Sequence, residues 1–408
     1  MPDRDHHHGF AAANIVLGVT GGIAAYKAVE LASSLVQASS QVRVVMTDGA
    51  TEFIQPLTFS GITHQQVFTG VFDGWTSGGT GHVELASTAD VVVIAPATAN
   101  TIARIAHGLV DDMLSAVCLA TTAPIVIAPA MEHHMWLHPA TQTNLVTLRE
   151  RGVHIIEPAT GRLASGATGH GRLAPLPTLL HGIRQALGAG GPLAGRKVVI
   201  TAGGTREAID PVRYIGNRSS GQMGIALANA ALDLGANVHL IVTNSVDRAN
   251  LAGNVETVES AIDLERAVQS AVQDADVLIM AAAVADFRPA TYASQKIKKK
   301  AGQDGISIDL IRNPDIIAGI DRTGLVKVGF AAETDDLILN AEQKLRSKGL
   351  AMIVANEAVA TIGSDRSQAT IITRGAEPRH LPEATKDVVA REILGDVLRI
   401  LEGGSNDA

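Results

Sequence analysis

A glycine-rich turn in the first half of the chain has the composition of a ligand-binding loop. The residues "GVTGGIAAYK" (18–27) join a predicted strand to the start of a predicted helix. Gly21 and Gly22 would let the backbone approach a phosphate or a ring at the positively polarised end of the helix. The spacing is neither G-x-G-x-x-G nor G-x-x-x-x-G-K-[ST]. By itself the turn therefore indicates a ligand no more strongly than a tight strand–helix connection.

Small and hydroxyl-bearing residues follow three more predicted strands of this half. They occur in "MTDGATEFI" (46–54), "APATANTIARIAHGLVDDMLS" (95–115) and "APAMEHHMW" (128–136). Ligands of open α/β sheets bind beyond the carboxyl ends of the strands, so we expect one flat cofactor across this edge. The expected cofactor-binding residues are Gly21, Gly22, Ile23, Thr47, Pro96, Ala97, Thr98, Asn100 and Asp112.

His82 is a candidate for proton transfer at the same edge. It follows the loop "SGGTGH" (77–82), and we expect it just before a helix that leads into the third predicted strand. Imidazole suits proton transfer near neutral pH. A structural histidine and a catalytic one fit these residues about equally well.

The stretch "VITAGGTREAIDPVRYIGNRSSGQMGIALANAA" (199–231) carries phosphate-binding features in the second half. A predicted strand ends in Gly203 and Gly204. Ser219, Ser220 and Gly221 then suit a helix N-cap whose free N–H groups bind phosphate. Further candidates between these elements are Arg213, Asn217 and Arg218.

A lysine cluster, "KIKKK" (296–300), is the densest basic run of the chain. It follows a strand end that carries Asp286, so it indicates a flexible flap over a triphosphate. "RNPDII" (312–317) and "GFAAET" (329–334) form further strand-end loops. Lys344 and Lys348, four residues apart, share one helix face.

The elements that must position these residues alternate between short apolar strands and amphipathic helices. Predicted strands cover 14–20, 42–47, 89–97, 123–131 and 153–158, then 196–205, 237–244, 276–287, 326–334, 351–359 and 368–375. Predicted helices include 23–37, 100–120 and a C-terminal helix over 382–403. Continuous apolar strands are typical of parallel sheets buried on both faces. The sequence therefore predicts an α/β protein of two doubly wound, Rossmann-like domains, divided near 185–195.

Composition narrows the class of protein. The 408 residues carry a net charge of −8, which argues against a general nucleic-acid surface. Hydrophobic residues make up 46% of the chain, but no apolar run is long enough for a membrane span. Cys118 is the one cysteine, which excludes an internal disulfide framework and fits a reducing compartment. We expect a cytoplasmic enzyme without nucleic-acid or membrane partners, and residues 1–13 as a disordered tail.

The first half resembles the flavin-dependent cysteine decarboxylases, more specifically phosphopantothenoylcysteine decarboxylase. The resemblance spans about 14–176 through "VTGGIAAYK", His82, "APATANTIARIAHGLVDD", "PAMEHHMW" and "GRLASGATGHGRLAP". It implies a flavodoxin-like domain over 14–188 and FMN as the cofactor. It also implies His82 as the catalytic histidine, Met131 and Glu132 as substrate-binding residues, and a substrate-covering flap at 161–175.

Two positions depart from the family pattern. Glu132 stands where many members have Asn, and an anionic Glu would repel a substrate carboxylate unless protonated or turned away. Ser165 stands where many members have a cysteine that protonates the enethiolate. Cys118 lies in an apolar helix and reads as a buried structural residue. The late proton donor therefore stays open between Ser165, His82, Glu132 and water.

The second half resembles phosphopantothenate–cysteine ligase over about 196–400, and we assign that domain to 189–408. The resemblance implies a reaction with CTP through an acyl-cytidylate, accompanied by Mg2+. It implies that Asn217 holds the acyl-cytidylate and that Lys296 promotes the attack of cysteine. The implied substrate- and CTP-binding residues are Gly203, Gly204, Arg213, Ser219, Ser220, Gly221, Asp286, Asn313, Pro314, Asp315, Ile316, Phe330, Lys344 and Lys348.

Together the two resemblances predict a bifunctional enzyme of coenzyme A biosynthesis. Its small-molecule partners would be CTP, cysteine, 4′-phosphopantothenate and phosphopantothenoylcysteine. Family ligase domains form dimers and decarboxylases form trimers, which implies a homo-oligomer of up to a dodecamer. One alternative is a ligase with a non-catalytic flavin- or nucleotide-binding first domain. A nicotinamide oxidoreductase is disfavoured because neither half has G-x-G-x-x-G followed by an acidic ribose clamp.

Overall fold

A computed structural model describes residues 9–73, 81–248, 251–298, 305–333, 337–357 and 366–403. The chain divides into two compact units, Met1–Ala189 and Gly190–Ala408. Among the described residues, no helix combines the length and the apolar character needed to cross a membrane.

The first unit contains a parallel sheet of six strands in the order β3-β2-β1-β4-β5-β6. Its strands are β1 Asn14–Val19, β2 Gln41–Met46, β3 Val67–Phe68, β4 Val91–Ala97, β5 Ile125–Pro129 and β6 His154–Ile155. A separate antiparallel hairpin follows, formed by β7 Ala159–Arg162 and β8 Thr168–Arg172.

Helices cover both faces of this sheet. Along β4, Val91, Val93 and Ala95 pack in one hydrophobic cluster, and Val92 and Ile94 pack in another. The alternation explains the continuous apolar sequence of the strand, because both of its faces are buried. The helices are α1 Ala25–Gln37, α2 Asp48–Thr51, α3 Pro56–Thr63, α4 Gly81–Thr88, α5 Ala99–His107, α6 Met113–Ala120, α7 His133–Leu137, α8 Pro139–Glu150 and α9 Leu176–Gly188.

The second unit contains an eight-stranded mixed sheet in the order β13-β12-β9-β14-β17-β18-β19-β20. Its parallel strands are β9 Lys197–Ala202, β12 Asn237–Thr243, β13 Asn254–Val258, β14 Val277–Met280, β17 Val326–Glu333 and β18 Met352–Glu357. The antiparallel edge consists of β19 Arg366–Thr373 and β20 Arg379–Thr385. Two small hairpins pair β10 Arg206–Ala208 with β11 Tyr214–Gly216, and β15 Phe287–Pro289 with β16 Leu310–Arg312.

The helices of the second unit also lie on two faces. On β14, Val277 and Ile279 belong to one hydrophobic cluster, and Leu278 and Met280 belong to the other. The prediction of two doubly wound α/β domains is therefore confirmed. The helices are α10 Gln222–Asp233, α11 Ala261–Ala271, α12 Leu337–Ser347 and α13 Lys386–Gly403.

Three element predictions were wrong. The strand predicted over 276–287 ends at Met280 and is followed by an isolated bridge between Gly204 and Ala283, and β15 begins only at Phe287. The helix predicted over 100–120 is two helices, because Gly108 adopts a left-handed conformation (φ 68°) that ends α5, and Asp112 caps α6. The first residues of the helix predicted over 382–403 form the end of β20, where Leu381 is buried and the strand pairs with β19. The helix begins only at Lys386.

Short strands were missed at Val67–Phe68, Asn254–Val258 and in the three hairpins. These segments carry few apolar residues or are only two to four residues long in several cases. Their pairing is decided by neighbouring backbone and not by local composition.

Candidate functional site

The carboxyl ends of β1 and β4 are joined through the buried hydroxyl of Thr20. Its Oγ1 donates to the Pro96 carbonyl (2.7 Å) and accepts from the Thr98 N–H (3.0 Å). This link brings the glycine-rich turn beside Thr98 at the same sheet edge. Sequence reasoning missed Thr20, although a hydroxyl at the end of an apolar strand, just before Gly21 and Gly22, was an available signal.

The two glycines of this turn have different surroundings. A Cβ on Gly21 would lie 2.7 Å from the backbone carbon of Gly49, so Gly21 permits close backbone packing. A Cβ on Gly22 would meet only the Thr98 methyl group, at 3.8 Å. The edge at Gly22 therefore has room for a ligand. Ile23 beside it exposes 60% of its surface, which offers apolar contact area.

The other predicted cofactor residues contribute in different ways. Thr47 directly follows β2, and its N–H donates to the Val19 carbonyl (3.1 Å). Asn100 is exposed in the first turn of α5. Pro96 and Ala97 are buried in β4, so their side chains belong to the core.

Asp112 has a structural function in addition to any ligand contact. Its Oδ1 accepts from the backbone N–H of Ser115 (2.7 Å), and its Oδ2 accepts from Arg104 Nη1 (2.7 Å). These bonds cap α6. Both carboxylate oxygens are thus engaged within the protein.

His82 lies within the first turn of α4, and not just before the helix as expected. Its Nδ1 is buried and has no hydrogen-bond partner among the described residues. Residues 77–80 of the flanking loop lie outside the described part of the chain. A buried polar atom without a partner is rare in a protein core and points to a ligand at this ring.

The hairpin β7–β8 is docked on the segment that follows β5. The Met131 N–H donates to the Gly171 carbonyl (2.9 Å). A Cβ on Gly171 would lie 2.1 Å from the Met131 oxygen, and a Cβ on Gly169 would lie 2.8 Å from the His133 ring. The glycines of β8 therefore provide close packing. The flap predicted over 161–175 contains this hairpin, and its residues 164–168 are exposed. Its role in covering the substrate stays a prediction.

Ser165 lies at that tip and is exposed. The tip is a tight turn, in which the Leu163 N–H donates to the Ala167 carbonyl (2.8 Å). The described contacts do not bring Ser165 to His82.

Glu132 caps the short helix α7. Its Oε2 accepts from the His134 N–H (2.7 Å), and its Oε1 binds the His134 ring at 3.0 Å. Partial desolvation works to raise the pKa of Glu132, but the bonds from His134 and Met135 lower it overall. Glu132 is therefore ionised and turned toward the helix. The expected repulsion of a substrate carboxylate by Glu132 was conditional on a side chain that is not turned away.

Cys118 is buried in α6, as predicted. Burial, assisted by the charge of Asp112, raises the pKa of its thiol to about 12. Such a thiol is a poor proton donor at neutral pH and does not replace Ser165.

A cleft of about 1000 Å³ lies at the carboxyl ends of the central strands in the second unit. It is the structural counterpart of the nucleotide site predicted from the sequence. Predicted residues that line it are Asn217, Ser219, Ser220, Gly221, Asp286, Asn313, Pro314, Asp315, Ile316, Phe330, Lys344 and Lys348. Polar lining residues that sequence reasoning did not assign include Gln222, Asn356, Ser367 and Lys386.

Gly203 and Gly204 lie beneath the cleft. Gly203 has a φ of 95°, and a Cβ on it would lie 2.2 Å from Thr243 Oγ1. A Cβ on Gly204 would lie 2.7 Å from the Asn217 carbonyl oxygen. The Asn217 side chain is fixed by two hydrogen bonds, in which its Nδ2 donates to the carbonyls of Ala283 (3.3 Å) and Val284 (3.2 Å).

The N-terminus of α10 opens onto this cleft. Gly221 is the N-cap, in a left-handed conformation (φ 76°), and no side chain caps the helix. Of the three residues predicted for the cap, Gly221 is confirmed as the N-cap, whereas the expected side-chain cap is not formed: Ser219 Oγ accepts from the Gly221 N–H at 3.4 Å and from no N–H of the helix among the described residues. The first N–H groups of a 12-residue helix are left for a ligand.

Two segments of the cleft wall are linked by hydrogen bonds. The Asn313 side chain donates to the Ala285 carbonyl (2.8 Å), and its backbone N–H donates to the Asp286 carbonyl (2.8 Å). Lys348 pairs with Asp315 at 3.0 Å. The predicted positions 286, 313, 315 and 348 therefore belong to one connected wall.

Arg213 and Lys296 do not line the cleft as described. Arg213 pairs with the buried carboxylate of Asp210, and its Nη2 donates to the Ile297 carbonyl (2.8 Å). Lys296 precedes Ile297 in an irregular segment. Lys299 and Lys300 of the predicted flap, and Thr334, lie outside the described residues.

Comparisons with known proteins match both halves of the chain. The family model "Flavoprotein" matches residues 4–188, and the model "DNA/pantothenate metabolism flavoprotein C-terminal domain" matches residues 193–401. A relative from Bacillus subtilis, "Coenzyme A biosynthesis bifunctional protein CoaBC", is 43% identical over 392 residues, which cover 94% of this chain and 96% of that protein. A relative of the same name from Vibrio cholerae is 44% identical and covers 94% and 97% of the two chains.

A solved structure of the C-terminal domain of such a protein is 39% identical. It matches 52% of this chain and 98% of its own length, with a TM-score of 0.45. The extent and identity of the full-length relatives, together with both family models, show that this chain belongs to the family of bifunctional coenzyme A biosynthesis proteins.

Proposed function

We propose that this chain catalyses two consecutive steps of coenzyme A biosynthesis. The second unit joins cysteine to 4′-phosphopantothenate with consumption of CTP. The first unit decarboxylates the resulting phosphopantothenoylcysteine to 4′-phosphopantetheine. The observation that carries the proposal is the presence, on one chain, of a buried histidine nitrogen without a partner among the described residues and of a polar, nucleotide-sized cleft, in a family named as bifunctional.

FMN fits the strand-end edge of the first unit. The space at Gly22, the apolar surface of Ile23 and the polar groups of Thr47, Thr98 and Asn100 would hold a flat ring and a phosphate. When bound, FMN would accept two electrons from the cysteinyl thiol of the substrate and return them after CO2 has left.

The residues of the first unit would manage protons around that exchange. The reaction breaks one C–C bond, releases CO2 and forms one C–H bond, so one proton is taken up and there is no net oxidation. His82 would exchange a proton with the substrate through its unpartnered Nδ1. Met131 would contact the substrate, and Ser165 at the exposed hairpin tip would supply the late proton.

The second unit would perform two displacements. The substrate carboxylate forms a bond to the α-phosphorus of CTP and pyrophosphate leaves. The cysteine amine then attacks the acyl carbon and CMP leaves. The first N–H groups of α10, with Lys344 and Lys348, would bind phosphates. Asn217, with its amide fixed by Nδ2, would accept from the acyl-cytidylate through Oδ1.

Magnesium would enter with the nucleotide. The described residues contain no group of three or more His, Cys, Asp or Glu side chains able to hold a metal ion. Phosphate oxygens would therefore supply most of its ligands, as is usual for Mg2+. Asp286 and Asp315 are the nearest acidic candidates on the cleft wall.

We also propose a homo-oligomer built from ligase dimers and decarboxylase trimers. Large apolar side chains are exposed in both units, among them Tyr26, Phe53 and Leu57 in the first and Tyr214 and Phe287 in the second. Exposed apolar area of this kind favours association. Light scattering that returns only a monomer mass would contradict it.

A ligase with an inert first unit is the competing function. The buried Nδ1 of His82 argues against it, because such an atom is costly unless a ligand satisfies it. Glu132 does not argue for it, because this carboxylate caps α7.

Two measurements test the proposal. The purified protein should be yellow or should bind added FMN, whereas a colourless protein that binds none would rule out the flavin step. With phosphopantothenate, cysteine and CTP it should release CMP, and Lys296→Gln should abolish this release. A Lys296→Gln variant with full turnover would refute the role given to that lysine.

A further inference from the structure

A buried carboxylate in the second unit lies outside the cleft and is used by no step described above. Asp210 occupies the turn between β10 and β11, and its side chain is 0% exposed. Its Oδ1 accepts from the backbone N–H groups of Val212 (2.9 Å) and Arg213 (3.0 Å). Its Oδ2 accepts from Arg213 Nε (3.0 Å) and from the Ile297 N–H (3.1 Å).

The Asp210–Arg213 pair binds both polar backbone groups of Ile297. Asp210 accepts from the N–H of Ile297, and Arg213 Nη2 donates to its carbonyl (2.8 Å). A third bond runs from the Ala293 N–H to the Ile209 carbonyl (3.0 Å). The segment that contains Lys296 is therefore attached to the β10–β11 turn on both sides of that lysine.

Such an attachment has a chemical use at this position. A lysine side chain is a flexible point charge, so its reach is defined only if its backbone is fixed. An ion pair with a buried carboxylate is also a poor choice for stability alone, because the desolvation of the charges opposes the gain. The hydrogen bonds from Arg213, against the cost of desolvation, hold the pKa of Asp210 well below its usual range.

We infer that Asp210, together with Arg213, is a positioning residue that fixes Lys296 for the second half-reaction. The inference rests on the proposed function of the second unit. It assigns Arg213 to holding the lysine segment and not to direct contact with phosphate.

The matched control is Glu207, the other buried acid of the same hairpin. It is 2% exposed, and its Oε1 accepts from the Ala261 N–H at 3.0 Å, at the start of α11. Its described hydrogen bond runs to α11 and not to the segment 293–297. Glu207→Gln therefore removes a buried charge from the same hairpin and leaves the bonds that join Asp210 and Arg213 to Ile297 unchanged.

The experiment measures the two half-reactions separately with the full-length protein. Asp210→Asn should slow cysteine-dependent CMP release by about 10- to 100-fold, the loss expected when a catalytic group is misplaced by about 1 Å. Pyrophosphate release and the KM for CTP should change by less than about twofold, as should both rates in Glu207→Gln. In a Lys296→Gln background, in which CMP release is already abolished, Asp210→Asn should leave pyrophosphate release within about twofold of that background.

Each arm has a decisive result. Normal CMP release in Asp210→Asn, or a loss of pyrophosphate release when Asp210→Asn is added to the Lys296→Gln background, would overturn the inference. If Asp210→Asn does not fold, Arg213→Lys replaces it, because this change keeps the charge and removes the guanidinium bond to Ile297. Full CMP release in that variant would also overturn the inference. Full turnover in Lys296→Gln alone would instead refute the proposed role of the lysine.

Discussion

His82 and Ser165, the two proton-transfer candidates of the first unit, have opposite surroundings. The His82 Nδ1 is buried without a partner among the described residues, whereas Ser165 is exposed at a hairpin tip. A buried ring nitrogen can act only on a ligand that reaches it, while an exposed hydroxyl competes with water. The early and late proton steps are therefore assigned to different parts of the unit.

Removing the Ser165 hydroxyl tests the late step. Ser165→Ala should slow the release of reduced product while the rate of CO2 formation stays within about twofold of the wild type, because His82 is unchanged. Rapid-quench measurement of CO2 and product separates the two rates. Thr168→Ala, on the neighbouring strand, is the control. Wild-type kinetics in Ser165→Ala would mean that water or another group supplies the proton.

At the residue scale, sequence patterns predicted many of the residues that line the cleft of the second unit. They did not predict which residues fix the neighbouring segments in place. Asn217, Lys344 and Lys348 line it as expected. Arg213 was expected on phosphate, but it pairs with Asp210. A sequence shows that an arginine is available, but it does not show that a buried carboxylate three residues away will engage it.

At the element scale, the structure adds most to the interpretation of the hairpin β7–β8. Its glycines at 169 and 171 allow the backbone to approach His133 and Met131 closely. The docked strand β8 therefore fixes the segment that carries the substrate-binding candidates. The composition "GATGHG" is equally compatible with a flexible loop, so the sequence alone could not distinguish packing from mobility.

A pair of glycine substitutions tests this packing. Gly171→Ala would place a methyl group 2.1 Å from the Met131 oxygen, so decarboxylation should fall by about tenfold or more while ligation is retained. Gly166→Ala is the matched control. Gly166 also has positive φ (87°), but a Cβ there meets nothing within 4 Å. Equal loss of CO2 release in both variants would contradict the packing role and leave only backbone strain.

Two half-buried histidines near the end of the first unit predict a pH dependence of stability. Burial lowers the pKa of His154, and burial, His154 and Arg184 lower the pKa of His181. Below the ordinary histidine pKa of about 6.5 the unfolded chain therefore binds more protons than the folded one, so stability falls as the pH falls. The melting temperature should drop between pH 7.5 and 5.5, and His181→Gln should reduce that drop. An identical drop in wild type and variant would contradict the assignment.

At the element scale, long apolar strands and amphipathic helices were predictable, and the breaks between elements were less so. The strands over 14–19 and 197–202 follow directly from their continuous apolar runs. The two-residue strand β3 and the edge strand β20 depend on the strands beside them. The local sequence does not show which strands will lie beside β3 and β20.

The whole molecule consists of two compact units, each with its own hydrophobic clusters. Each unit also has its own site, and no described residue belongs to both. The two activities should therefore be lost independently. His82→Asn should abolish CO2 release and leave CMP release within about twofold, because additivity holds for distant sites.

The most direct test of the central claim follows CMP and CO2 together from one full-length preparation. Given phosphopantothenate, cysteine, CTP and FMN, the wild type should release CMP and CO2 in equal amounts at completion. Lys296→Gln should release neither from these substrates, yet it should release CO2 from added phosphopantothenoylcysteine. CMP release from phosphopantothenate, with no CO2 release either from these substrates or from added phosphopantothenoylcysteine, would contradict the account and leave a ligase with an inert first unit.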